Sequence, residues 1–165
     1  MIKVLFICLG NICRSPLAAA IFTQKLHERN YTHQVSCDSC GTSDYHIGEL
    51  PDERTIACAK RHSIQLHHRG RQLNRSDFKD FDLFIAMDQS NVDNINMAGE
   101  IFKMTPKCLF LIRHFQKNAD SQDVPDPYYG GEEGFEKVYE ILNESIDGLI
   151  SMMEKDFDIE NGRLL

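Results

Sequence analysis

The residues that most clearly indicate chemistry are Cys8 and Arg14, separated by five residues in the segment CLGNICRSP. An arginine guanidinium offers a planar fork of donors that fits two phosphate oxygens. Helix N-termini and cationic neighbours lower the pKa of cysteine thiols to about 3.5–7.5, which can make the nucleophilic thiolate the main form at neutral pH. Because a thiolate beside a bound phosphate is a nucleophile for phosphoryl transfer, this pair predicts a site that binds and attacks a phosphate group.

The segments on either side of this pair predict where it lies in a fold. Residues 4–7 read Val-Leu-Phe-Ile, the pattern of a strand buried on both faces. Pro16 suits the first turn of a helix, which needs no N–H from it, and strong helix formers follow. Successive amides in a loop at a helix N-terminus bind an oxyanion, and Gly10 and Asn11 best adopt the unusual backbone angles of such a loop. The predicted phosphate-binding residues are Leu9, Gly10, Asn11, Ile12, Cys13 and Ser15. The alternative is a half-buried structural cysteine before an ordinary turn between strand and helix.

The composition fits one domain whose phosphate site is local. The chain has 165 residues, of which 42% are hydrophobic, and its net charge of −7 comes from 18 basic and 25 acidic residues. An acidic protein is a poor general binder of nucleic acid or of an anionic membrane, so neither is expected as a partner. No apolar run approaches the ~18 residues of a membrane span, and no signal-like start is found. Six cysteines without a secretory signal indicate a reducing, cytoplasmic setting.

Strand patterns alternate with helix patterns along the chain. The predicted strands cover residues 4–7, 34–38, 82–87 and 107–112, and the predicted helices cover 15–30, 52–62, 89 onwards and 135–157. This alternation predicts an α/β fold, a single-domain three-layer sandwich with a four-stranded parallel sheet flanked by helices on both faces. The domain is expected over residues 1–157, with a loose tail at 158–165. Ligands bind beyond the carboxyl ends of such strands, so the loops after Cys8, Asp38, Met87 and Ile112 should meet at one edge.

The long loop at 118–131 supplies a candidate acid. Displacing a phenolate from phosphorus requires a group that protonates the leaving oxygen. Asp126 stands between two prolines that stiffen the backbone, and Tyr128 and Tyr129, which follow it, can wall a pocket for an aryl group. The alternative is a solvated acidic turn, because Asp-Pro is common in turns. The presence of the loop with Cys8 and Arg14 favours the interpretation of Asp126 as a general acid.

Taken together, these motifs resemble the low-molecular-weight protein tyrosine phosphatases. The resemblance rests on CLGNICRSP directly after a strand and on Asp-Pro-Tyr-Tyr late in the chain, and it extends over most of the sequence. It implies an enzyme that hydrolyses phosphotyrosine and aryl phosphates in two steps through a cysteinyl-phosphate intermediate. It implies phosphotyrosine-containing proteins as substrates, phosphate or vanadate as competing ligands, no cofactor and no metal.

The resemblance also implies a role for individual residues. Cys8 is the nucleophile, Arg14 holds the phosphate, and Asp126 acts first as acid and then as base. Ser15 stabilises Cys8 as a leaving thiolate. The aromatic walls of the substrate cleft are Tyr45, Tyr128 and Tyr129.

Three further residues are implied as supports of the site. Ser39 and His62 hold Asn11, which in turn holds the curl of the loop. Asp88 helps to position the acidic loop. For all three, the alternative interpretation is an ordinary helix cap or surface polar group.

Several other functions remain open at this point. Arsenate reductases share the fold and loop but use further cysteines in the middle of the chain, whereas here no cysteine lies between Cys58 and Cys108. Protein-arginine phosphatases also resemble the chain but tend to have Thr in place of Ile12. A phosphate-binding module without catalysis is a third possibility. Cys37 and Cys40 have the spacing of half a zinc site, but no second pair completes it.

Overall fold

A four-stranded parallel sheet forms the centre of the protein. The computed structural model describes residues 1–157 and 159. The strands are β1 (Ile2–Cys8), β2 (Val35–Gly41), β3 (Leu83–Ala86) and β4 (Leu109–Leu111). Their order across the sheet is β2-β1-β3-β4, and every neighbouring pair is parallel. The predicted four-stranded parallel sheet is therefore confirmed, with β1 inside it.

Helices cover both faces of this sheet. They are α1 (Arg14–Glu28), α2 (Glu53–Arg61), α3 (Asp77–Asp80), α4 (Gln89–Phe102) and α5 (Glu132–Asp156). Alternate residues of a strand point to opposite faces, and β1 follows this rule. Val4 and Phe6 pack in the core beneath α1 and α5, whereas Leu5 and Ile7 pack in the core on the side of α3 and α4. Since both faces are buried, the sequence of β1 is continuously apolar, and the predicted three-layer sandwich is confirmed.

Two strands differ from their predicted bounds in ways that affect the site. β2 continues to Gly41, which pairs with Cys8 and thereby lies at the same sheet edge. A side chain at Gly41 would place its Cβ only 2.6 Å from the Leu9 carbonyl oxygen, so the close approach of the two strand ends requires glycine. β4 is shorter than predicted, because the chain turns into a 3₁₀ segment at Ile112–Phe115.

The C-terminal end is described only in part. The predicted loose tail at 158–165 lies mostly outside the described residues, and within it Ile159 is buried in the core beside α5. Within the described residues, none of the helices combines the length and the apolar character needed to cross a bilayer.

Candidate active site

The loop between β1 and α1 lies at the carboxyl edge of the sheet. Cys8 is the last residue of β1, and Arg14 is the first residue of α1. Asn11 has φ +58°, in the left-handed region, and its amide N–H donates to Cys8 Sγ at 3.3 Å. Gly10 has no positive φ. A Cβ there would lie 2.9 Å from Cδ2 of His46, so any other residue at position 10 would displace that ring. The loop therefore curls back over the Cys8 sulfur.

The buried side chain of Asn11 holds this curl through four hydrogen bonds. Its Nδ2 donates to Ser15 Oγ at 2.9 Å and to Ser39 Oγ at 3.0 Å. Its Oδ1 accepts from the Arg71 amide at 3.0 Å and from His68 Nε2 at 2.7 Å. All donor and acceptor capacity of this side chain is thus used inside the protein. The contact predicted between Ser39 and Asn11 is present.

The prediction that His62 holds Asn11 is wrong, because His68 occupies that position. His62 ends α2, where its Nε2 lies 2.8 Å from Glu136 Oε2 and its ring stacks on Tyr139 at 3.5 Å. His68 lies in the loop that returns beside the end of β2. Burial lowers the pKa of His68. Asn11 Oδ1 only accepts, so His68 donates to it as the tautomer with hydrogen on Nε2.

Cys8 has a second polar neighbour beneath the loop. Its Sγ lies 2.9 Å from Ser15 Oγ, and both residues are buried. Ser15 Oγ also lies within 3.3 Å of the Cys40 carbonyl oxygen. Burial raises the pKa of the nearby Cys13 thiol to about 12 and that of Cys40 well above its usual value. These two thiols therefore stay protonated at neutral pH, and neither serves as a ready nucleophile.

Arg14 joins the loop to two other segments. Its Nη1 donates to Asp88 Oδ2 at 2.5 Å and to the Val124 carbonyl oxygen at 3.0 Å, and its Nη2 lies 3.5 Å from Asp126 Oδ2. The Arg14 side chain is only 4% exposed. Burial opposes ionisation of Asp88, but hydrogen bonds from Ser90 and Arg14 outweigh it and lower the pKa of Asp88. The charged carboxylate of Asp88, which does not line the cavity, therefore fixes the guanidinium of Arg14.

The acidic loop is held by hydrogen bonds to its backbone and to the side chain of Asp123. The Val124 amide donates to the Met87 carbonyl at 2.8 Å, and the Gln89 amide donates to Asp123 Oδ1 at 2.9 Å. Asp88 was predicted to position the acidic loop, but the direct contacts to that loop come from its chain neighbours Met87 and Gln89. Asp88 itself caps α4 and binds Arg14. On the other side, Arg54 of α2 donates to the carbonyls of Tyr128 and Gly130.

A cavity of about 300 Å³ opens above Cys8. Its lining comprises Cys8, Leu9, Gly10, Asn11, Ile12, Cys13, Arg14, Tyr45, His46, Asp126, Tyr128 and Tyr129. The Asp126 side chain is 44% exposed, and its Oδ1 accepts from the Tyr128 amide at 3.0 Å. All three predicted aromatic residues lie at the mouth, with Tyr129 94% exposed. The arrangement can enclose an anion at its base and a ring at its entrance.

His46 also lines the cavity and was not predicted from the sequence. His46 Nδ1 lies 2.7 Å from Glu49 Oε2, and its ring packs over Gly10. Its position beside Tyr45 was the only signal in the sequence. Cys37 and Cys40 do not form half of a metal site, because they lie at odd spacing in β2, with Asp38 and Ser39 between them, and pack on opposite faces of the sheet.

Comparisons with known proteins agree with this geometry. The model of the family described as low molecular weight phosphotyrosine protein phosphatase matches residues 3–159. The low molecular weight protein-tyrosine-phosphatase PtpA of Staphylococcus aureus is 40% identical over 167 residues, covering 98% of this chain and all of the relative. A crystal structure of a protein tyrosine phosphatase from Entamoeba histolytica is 38% identical with a TM-score of 0.86, covering 94% of this chain and 98% of that one.

A structure described as a Drosophila arginine phosphatase is also similar, with 31% identity and a TM-score of 0.88 over 94% of this chain and 99% of that one. The parallel α/β sandwich and the loop from Cys8 to Arg14 at its carboxyl edge are therefore shared with solved phosphatases. This chain belongs to the low molecular weight phosphotyrosine protein phosphatase family. It is a hydrolase with protein tyrosine phosphatase activity.

Proposed function

We propose that this enzyme hydrolyses phosphotyrosine in proteins in two steps through a phosphate ester on Cys8. One observation carries the proposal: Cys8 and Arg14 at the two ends of one loop and Asp126 from a distant loop line one cavity, together with three tyrosines. The cavity has the buried Cys8 at its base and exposed tyrosines at its entrance. It therefore suits a phosphate group that is attached to an aryl ring.

In the first step, the Cys8 thiolate attacks phosphorus in line with the leaving oxygen. The loop amides and Arg14 hold the equatorial oxygens, where negative charge is greatest. Nη1 of Arg14 is held by Asp88 and the Val124 carbonyl, and Nη2 lies beside Asp126, which lines the cavity. Asp126 gives its proton to the departing tyrosine oxygen. The sulfur–phosphorus bond forms as the phosphorus–oxygen bond breaks, and tyrosine leaves.

In the second step, water attacks the phosphocysteine and restores the enzyme. Asp126, now a carboxylate, takes a proton from the water, and inorganic phosphate is released. Cys8 departs as a thiolate, which the Ser15 hydroxyl stabilises from 2.9 Å by donating a hydrogen bond. Arg14 and the amides provide the charge stabilisation, so the chemistry requires no metal, and a chelator such as EDTA should leave the rate unchanged.

The assignment of Asp126 is tested by varying the leaving group. Loss of a general acid typically costs about 10²–10⁴-fold in rate, and it costs most when the departing oxygen is basic. The rate of phosphoenzyme formation should therefore fall steeply with leaving-group pKa in Asp126→Ala and only weakly in the wild type. Asp123→Asn is the matched control, because it keeps the oxygen that accepts from the Gln89 amide but removes the carboxyl group of a loop residue that does not line the cavity. Equal slopes in wild type and Asp126→Ala would refute the assignment.

Phosphoarginine is the second candidate substrate, favoured by the similarity to the Drosophila arginine phosphatase. Ile12 lines the cavity at the position where arginine phosphatases tend to have Thr. Two peptides of the same sequence, one with phosphotyrosine and one with phosphoarginine, decide between the substrates. The wild type should prefer phosphotyrosine in kcat/KM, and Ile12→Thr should move the ratio toward phosphoarginine. A wild-type preference for phosphoarginine would overturn the substrate proposed here.

A further inference from the structure

We propose that Cys58, His62 and Glu136 form a binding site for one divalent ion of the zinc class, between α2 and the start of α5. Cys58 Sγ lies 3.6 Å from Glu136 Oε1, and His62 Nε2 lies 2.8 Å from Glu136 Oε2. One ligand atom from each residue lies within 4.8 Å of the other two. None of the three residues lines the catalytic cavity, and the proposed mechanism uses none of them.

The Cys58–Glu136 distance fits an edge of a metal tetrahedron, whereas the His62–Glu136 hydrogen bond has to lengthen from 2.8 Å to about 3.4 Å when the ion enters. Zinc–sulfur and zinc–oxygen bonds of about 2.3 and 2.1 Å at a tetrahedral angle place the two ligand atoms about 3.6 Å apart. The Cys58–Glu136 distance already has this value. Cys58 and His62 stand four residues apart at the end of α2, a spacing that puts both side chains on one side of the helix. Small side-chain movements therefore suffice to bring three ligands to one ion.

The chemistry of the three ligands selects the class of ion. Thiolate, imidazole and carboxylate together favour Zn²⁺ or Co²⁺ over the hard cations Mg²⁺ and Ca²⁺, which prefer oxygen ligands alone. On binding, the Cys58 thiol releases its proton to solvent. Three protein ligands leave a fourth position for water.

The surroundings orient the His62 ring and place negative charge beside the site. The His62 ring is held by stacking on Tyr139, with the two planes 9° apart. A surface cleft outside Glu136 is lined by Arg61, Glu132, Glu133, Glu136, Lys137 and Glu140. Four carboxylates against two cations make this cleft attractive to a dication. Arg61 now binds Glu136 at 2.6 Å, but its side chain is 43% exposed and is free to move into solvent when the ion replaces it.

An ion at this position would link two helices that hold the catalytic loops. At the other end of α2, the Asp52 amide donates to the Ile12 carbonyl at 2.8 Å, and Arg54 donates to the Tyr128 carbonyl at 3.0 Å. Glu136 follows the acidic loop directly, in the second turn of α5. We therefore expect the ion to raise the melting temperature of the whole chain.

The test is a Co²⁺ titration of the full chain, read by absorbance. Tetrahedral Co²⁺ bound to a thiolate gives a charge-transfer band and intense visible bands. One equivalent should bind to the wild type with this spectrum. His62→Gln and Glu136→Gln should each weaken binding by at least about 10-fold, the loss that even outer-shell partners cause. Cys58→Ala should remove the charge-transfer band. Zn²⁺ should raise the melting temperature of the wild type but not of Glu136→Gln.

Two controls separate this site from other thiols. Cys108 is exposed, so Cys108→Ser should bind Co²⁺ as the wild type does. Cys8→Ser should also retain the spectrum, and its loss there would place the ion in the catalytic cavity and overturn the proposal. No binding by the wild type, or unchanged affinity in both His62→Gln and Glu136→Gln, would overturn it as well. Glu136 is partly exposed, so its variant tests the proposal even if Cys58→Ala fails to fold.

Discussion

Replacing Asn11 by Gly and by Ala should separate its two contributions to the phosphate loop. The side chain makes four buried hydrogen bonds, and the backbone is left-handed. At about 0.5–1.5 kcal/mol net per hydrogen bond, Asn11→Gly should lower the free energy of unfolding by about 2–6 kcal/mol. Glycine adopts this backbone without steric cost, so that loss reports the hydrogen bonds together with the greater conformational entropy of glycine in the unfolded chain.

Alanine at the same position adds the backbone cost. A left-handed conformation costs a residue with a Cβ roughly 1–2 kcal/mol, so Asn11→Ala should be less stable than Asn11→Gly by about that amount. The total stability of a domain is about 5–15 kcal/mol, which leaves the glycine variant measurable and the alanine variant near its limit. The assay is urea unfolding of both variants and the wild type, with unchanged m-values as the check on two-state behaviour.

Activity gives the second readout of the same pair. Without its anchor, the amide that points at the Cys8 sulfur is no longer fixed, so kcat on p-nitrophenyl phosphate should fall in both variants. Two results would refute this reasoning. One is a glycine variant with wild-type stability and turnover. The other is an alanine variant that is as stable as the glycine variant, which would show that the backbone at residue 11 is not strained.

Three other predictions follow from the site. His68→Gln should lower kcat much more than His62→Gln, and the opposite order would restore His62 as the support of the loop. Because burial lowers the pKa of His68, the unfolded chain takes up a proton on acidification while the folded chain resists it. The stability that neutral His68 contributes is present above about pH 6.5 and is lost as the pH falls through the lowered pKa of the folded state. The free energy of unfolding in urea should therefore change less between pH 7 and pH 5 in His68→Gln than in the wild type. Arg14→Lys should reduce kcat/KM by at least about 10²-fold, because a point charge does not reproduce the planar fork; a loss below about 10-fold would contradict this role. Mild peroxide should oxidise Cys8 and Cys13 to a disulfide. The reaction should be slow at neutral pH, because burial raises the pKa of Cys13 to about 12, and it should become faster as the pH rises. Peptide mapping that links Cys8 to another cysteine would contradict this.

The parts of the structure that depend on local pattern were predictable from the sequence. The apolar run before Cys8 indicated a strand buried on both faces, and β1 is that strand. Pro16 and the alanines after it indicated α1, which begins at Arg14, one residue before the predicted start at residue 15. The rule that parallel strands present their carboxyl ends at one edge predicted that the loop with Asp126 would meet the loop of Cys8. One cavity contains both.

The remaining features depend on contacts between distant segments. His62 and His68 are both histidines near the end of α2, and only the path of the loop after the helix decides which one reaches Asn11. His46 lines the cavity because Gly10 leaves room for its ring, a fit that no spacing in the sequence encodes. The meeting of Cys58 with Glu136 likewise depends on how α2 packs against α5.

The most direct test of the central proposal is to trap the intermediate. The enzyme is mixed with p-nitrophenyl phosphate, quenched within its first turnovers, digested and sequenced by mass spectrometry. Cys8 and Cys13 fall in the same peptide and are distinguished by fragmentation. The phosphoryl group should be found on Cys8 in the wild type, and Cys8→Ser should bind vanadate without turnover. A phosphoryl group on Cys13, or full activity in Cys8→Ser, would contradict the assignment of Cys8 as the nucleophile.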